Sequence, residues 1–170
     1  YSAISAATGS PLLGKVRVEL QDRRYTWLLT VRQSAPGVAS VDVVVFFNRA
    51  LENISTDEVL YHTVFTQGST QAQVTYPTGV NTNTGLPLKP YMKRGSFVFD
   101  ANNAFWYRIA NVSDNNNGNA VLTLEVPANA STGFPPFSPP RAMFPRGVVD
   151  VFPIGTKTFQ CDSHIDRCGG

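Results

Sequence analysis

Charge is scarce in this chain. Among 170 residues there are 14 Lys and Arg against 12 Asp and Glu, so charged residues make up 15% and the formal net charge is +2. An ordinary globular domain carries about 25% charged residues. Without a basic face there is no electrostatic footprint for nucleic acid, and a DNA- or RNA-binding module is excluded. Cysteine and histidine are equally sparse, with two of each, which leaves few groups for the usual catalytic and metal-binding constellations. No apolar run approaches the ~18–20 residues of a membrane-spanning helix. Disorder is excluded from the other side, because 42% of the residues are hydrophobic.

The opening residues also lack features. The chain starts at Tyr1 without Met and without the charged and apolar regions of a signal peptide, so it reads as processed or trimmed. Residues 1–14 are expected to be a linker or trimmed segment, residues 15–155 a single β-rich domain, and residues 156–170 a carboxy-terminal tail.

What the sequence does have is a period of two. KVRVEL at 15–20 places Val16, Val18 and Leu20 on one face. In 24–33, Tyr25, Trp27, Leu29 and Val31 fall on one side and Arg24, Thr26, Thr30 and Arg32 on the other, the pattern of a half-buried antiparallel strand with its apolar side inward. SAPG at 34–37 supplies a turn, and VVVFF at 43–47 is apolar on both faces, as in a central strand. Further strands are predicted at 59–65, 71–76, 95–100, 105–112, 120–126 and 146–152. Residues 51–58 are a weak helix candidate, and 77–90 form a polar loop. Asn102 and Asn103 tolerate the left-handed conformation that a tight reversal needs. Residues 127–141 contain five prolines and read as an irregular crossing. The fold class is mainly β: an antiparallel sheet or sandwich of about eight or nine strands in one domain, with little helix.

Candidate chemistry is thin. Neither His62, inside a predicted strand, nor His164 has a nucleophile motif around it, so the chain is expected not to be an enzyme and no cofactor is expected. DNNNGN at 114–119 resembles a calcium loop, but Gly118 falls one position early and the bidentate Glu is missing, so a plain turn is favoured. Asn53, Asn111 and Asn129 open glycosylation-type triplets that a Ser/Asn-rich chain produces by chance. Cys161 and Cys168 close a short segment that also holds Asp162, His164 and Asp166. A disulfide, two free thiols and a metal site are the three readings. The spacing favours the disulfide, since no C-x-x-C pair or second ligand cluster accompanies it. The aromatics read mainly as core, with Tyr91, Phe134 and Phe137 in predicted loops as weak ligand-binding candidates.

Four segments taken together carry a resemblance: DRRYTWLLTVR at 22–32, VDVVVFFNR at 41–49, GSFVFDANNAFWYRI at 95–109 and RGVVDVF at 146–152. The combination resembles prepilin-like proteins (pseudopilins or minor type IV pilins) of the planctomycete type, over most of 15–155. The resemblance implies a structural head region whose partners are other pilin-like subunits or secretion-system proteins, in the cell envelope and either periplasmic or extracellular. The apolar amino-terminal helix of such proteins does not occur within these 170 residues, so any membrane attachment would lie in a helix outside them. The competing expectation is an extracellular ligand- or carbohydrate-binding β-sandwich.

Overall fold

A computed structural model describes residues 24–49, 58–83, 85–132 and 139–158. The linker at 1–14, the strand expected at 15–20, most of the helix candidate, Phe134, Phe137 and the whole segment around Cys161, Asp162, His164, Asp166 and Cys168 lie outside the described residues. Among the described residues nine strands follow one another: β1 (Tyr25–Ala35), β2 (Val38–Phe47), β3 (Leu60–Phe65), β4 (Gln71–Thr75), β5 (Phe97–Asp100), β6 (Phe105–Asp114), β7 (Asn119–Leu124), β8 (Arg141–Met143) and β9 (Val148–Thr158). The mainly β class and the antiparallel pairing agree with the period-two pattern. The arrangement is more specific than a sheet or sandwich. Six strands close into a barrel in the order β3-β4-β7-β6-β5-β8, and β1-β2-β9 form a separate three-stranded sheet.

The barrel works as alternation demands. Tyr61 and Phe65 of β3, Val74 of β4, Val98 of β5, Tyr107 and Ile109 of β6, and Leu122 and Leu124 of β7 point inward and are buried in one cluster. Such a closed sheet has no open edge and fills its own interior. Closure depends on β8, which pairs with β3 through Tyr61↔Ala142 and with β5 through Asp100↔Ala142. This strand starts at Arg141, the last residue of the stretch read as irregular, and runs into residues for which no strand was predicted. A strand of three residues is too short to show a period, and neighbours on both sides fix it instead.

Two further expectations are corrected. At the β5–β6 reversal the residue with positive φ is Ala104 (φ 55), not Asn102 or Asn103. The asparagines serve Asp100 instead: its Oδ1 accepts from the backbone N of Asn102 (3.0 Å) and of Asn103 (3.3 Å), and Asn103 Nδ2 donates to Oδ2 at 2.9 Å. At the other end, β9 runs on to Thr158, past the expected start of the tail at 156.

The largest correction concerns β1. Its period is the predicted one, but its sense is reversed. Tyr25 (63% exposed), Trp27 (69%), Leu29 and Val31 face solvent, and Thr30 is buried. The side that looked polar faces the barrel: Trp106 Nε1 on β6 donates to Thr30 Oγ1 at 2.8 Å, and Arg32 donates to the Ala104 carbonyl at 2.9 Å. The Arg32 guanidinium also lies 3.8 Å from the centroid of the Phe105 ring. On β2, Val44 and Phe46 share this inner side with Leu28 and Thr26, their register partners, and are fully buried.

Candidate interaction surface

The reversed strand creates the most distinctive surface of the molecule. Residues directly opposite one another in an antiparallel pair share a face. Tyr25↔Phe47, Trp27↔Val45, Leu29↔Val43 and Val31↔Val41 therefore stand on the outer side of the sheet. Val43↔Phe152, Val45↔Asp150, Val41↔Gly155 and Ala39↔Lys157 continue that side across β9. The Tyr25 and Phe47 rings touch with centroids 5.1 Å apart. A shallow groove of about 500 Å³ runs among Tyr25, Trp27, Leu29, Val43 and Val45.

The four aromatics on this face are 63%, 69%, 38% and 51% exposed. At about 200 Å² for a whole aromatic side chain, they alone leave roughly 450 Å² in water. Leu29, Val31 and the half-buried Val43 and Val45 bring the face to the order of 700 Å², beyond the roughly 300–600 Å² of the largest patch on a typical monomer, while Val41 and Ala39 on the same side are buried. Its ends carry single charges of opposite sign, Asp150 and Lys157, both exposed. Sequence reasoning placed Tyr25, Trp27, Leu29 and Val31 on one side of a strand and took that side as the one facing inward. The missing signal was which side of the strand the barrel would occupy.

Other candidate residues are placed as follows. His62 is exposed on β3, opposite Thr75 and Arg141, as a surface strand histidine should be. Tyr91 is half-buried beneath the Arg146 guanidinium, 5.0 Å from its ring centroid, beside a groove lined by Lys93, Arg94 and Ser96. One face of that ring is thus occupied by a cation rather than presented to a sugar.

The calcium-like loop is a hydrogen-bonded turn. Asp114 Oδ1 accepts from the Tyr76 hydroxyl at 2.5 Å and from Asn116 N at 2.8 Å, and the Lys89 ammonium pairs with Oδ2. Lys89 occupies the place a cation would take. Burial would raise the Asp114 pKa, but the hydrogen bonds from Lys89, Tyr76 and Asn116 hold it below the usual carboxylate value. Burial, reinforced by Asp114, pushes Tyr76 up to about 12. Asp100 moves upward because desolvation outweighs its three hydrogen bonds from Asn102 and Asn103.

Among the described residues, no group of three or more His, Cys, Asp or Glu converges as a metal site would require, and no helix is long and apolar enough to cross a membrane. Comparison of the chain with protein families, with curated proteins and with solved structures found no match.

Proposed function

We propose that this chain is a non-enzymatic structural head domain of a type IV pilin-like or secretion-pseudopilus subunit, and that it engages other subunits through the outer face of the β1–β2–β9 sheet. One observation carries this reading: a large apolar sheet face, rich in aromatics, is turned to solvent. Burying such a face is worth about 25 cal/mol per Å² before association costs are counted, and leaving it bare invites aggregation. A free-standing domain has no use for it. The pilin-like identity rests on the resemblance of the four segments, and the envelope location follows from that identity.

The test uses the full-length protein in its native cell. Trp27→Lys together with Leu29→Lys should abolish its recovery with sheared surface filaments or with the assembled secretion complex, while the domain itself stays folded. Normal incorporation of that variant would overturn the reading. Mass spectrometry of the unreduced native protein should find Cys161 and Cys168 joined, as export to an oxidising compartment requires. Two free thiols would contradict that location. The ligand-binding alternative predicts retention on glycans through Tyr91. With Arg146 stacked on that ring, we expect a glycan array to be blank.

A further inference from the structure

We propose that the occupant of the outer sheet face is a second copy of the same face, packed about a two-fold axis that crosses β9 between Pro153 and Ile154. This rests on the reading of the face as an assembly surface and goes further by naming what covers it. Three features of the face point to self-packing.

The first is size. On the order of 700 Å² of exposed apolar surface is close to the ~800 Å² per partner that a stable pairwise interface buries. The second is shape. The bulky outer residues Tyr25, Trp27 and Phe47 lie toward one end of the sheet. Toward the other lie Gly155, which is exposed, and Ala39, which is buried. A two-fold axis lying in the interface and perpendicular to the strands sets each strand antiparallel over its own copy. Leu29 then meets Val31 of the second copy, Phe152 meets Gly155, and Trp27 meets the level of Gln33 and Ala39. The Phe152 ring thus faces a glycine, which suits the close packing of two sheets ~10 Å apart.

The third feature is charge. Asp150 pairs with Val45 and Lys157 with Ala39, so both project from the outer side, about 20 Å apart by the span of their β2 partners at ~3.3 Å per residue. The same axis lays Asp150 of each copy over Lys157 of the other. Isologous interfaces require this self-complementarity: if residue i meets residue j, then j meets i. A partner with a uniformly charged or wholly apolar surface would leave one of these ends mismatched. Rim charges of this kind set register more than affinity.

The experiment is sedimentation of the 170-residue chain over a concentration series, combined with 19F NMR of 5-fluorotryptophan-labelled protein, which contains two tryptophans, Trp27 and Trp106. The wild-type chain should reach twice the monomer mass, and the Trp27 resonance should shift with concentration while that of Trp106 stays put. Leu29→Lys should give a folded monomer. Asp150→Lys and Lys157→Asp should each weaken the dimer at least several-fold, and the double exchange should restore it. Three results would overturn the proposal: a monomer at every concentration; a dimer whose charge exchange gives no recovery; or a monomer whose Trp27 is shielded from solvent, meaning that the chain covers the face itself. Failure to dimerise alone would not touch the pilin-like reading, which fails only if Trp27→Lys with Leu29→Lys leaves assembly in the cell unchanged.

Discussion

The barrel and the three-stranded sheet are built from the same sequence device and use it in opposite directions. In the barrel, alternation drives Tyr107, Ile109, Leu122 and Leu124 into a shared interior, where their exposure falls to 2% or less. In β1 the same alternation turns Tyr25, Trp27, Leu29 and Val31 outward and gives the barrel-facing side to Thr30 and Arg32. A closed barrel supplies its own second layer, whereas an open sheet must borrow one on each side. The barrel meets the inner side of β1 through Trp106 and Ala104, and the apolar outer side of the sheet is turned to solvent. An apolar stripe therefore reports burial somewhere, not burial within its own chain.

The difference can be broken most sharply inside the barrel. Leu122 is fully buried in the barrel cluster, so Leu122→Ala should cost about 2–5 kcal/mol through lost transfer energy and an unfilled cavity. Urea denaturation followed by circular dichroism measures this. A loss below about 1 kcal/mol would mean that the barrel interior is not the stabilising core.

Next comes the joint between the sheet and the chain leaving the barrel. Gly147 has φ 75, and a Cβ built on it would sit 2.4 Å from the Phe47 carbonyl oxygen. Its own carbonyl accepts from Phe47 N at 2.7 Å, which locks the start of β9 to β2. Gly147→Ala meets both a strained backbone and a backbone clash, so it should destabilise by more than about 1 kcal/mol. Hydrogen exchange should locate the loosening in β9 and the end of β2, with the barrel amides unchanged. Uniform loosening would show that sheet and barrel unfold as one unit.

How much of this was legible beforehand depended on whether the deciding partner was near in sequence. The strands of the barrel hairpins, β3–β4 and β5–β6, followed from alternation and turn residues close by. VVVFF at 43–47 announced a central strand, and β2 does sit between β1 and β9. By contrast, β8 has no pattern of its own, and its place is fixed by β3 and β5 from far along the chain. The sense of β1 was hidden for the same reason. Its inner side is defined by Trp106 and Ala104, more than seventy residues away. Nothing local distinguishes a threonine that will hydrogen-bond an indole from one that will face water.

A smaller effect separates the two regions by pH. Tyr76 lies in the barrel cluster with its hydroxyl donated to Asp114, and burial pushes its pKa from the ordinary tyrosine value up to about 12. The folded state then holds a proton that the unfolded state releases, so this contribution is complete below pH 10 and is lost as pH rises toward 12. Asp114 works with the opposite sign. Its lowered pKa favours the fold above the ordinary carboxylate value and is lost as pH falls below it. Tyr76→Phe should cost about 1 kcal/mol at neutral pH for the lost hydrogen bond and should flatten the alkaline limb of the stability curve. Tyr107, also raised by burial, keeps the remainder of that limb. An unchanged alkaline limb would mean that Tyr76 does not titrate within the folded barrel.

The smallest expected effect carries the comparison furthest. Trp27 is the largest side chain on the outer face and is 69% exposed, so within one copy of the chain it has little to lose. Substitution at a surface position without caps, buried hydrogen bonds or packing partners usually changes stability by no more than about 0.5 kcal/mol. Trp106, the other tryptophan, donates to Thr30 and stacks on Phe99 with ring centroids 4.7 Å apart, so Trp106→Phe should cost about 1 kcal/mol for the hydrogen bond alone. Measured at high dilution, Trp27→Ser should therefore leave the denaturation midpoint where it was, while Trp106→Phe lowers it. At high concentration the order should invert, because Trp27→Ser removes the stabilisation that association adds by mass action and Trp106→Phe leaves the outer face intact. A loss of stability on Trp27→Ser that does not depend on concentration would place Trp27 in the chain's own core and return β1 to the sense that its alternation first suggested.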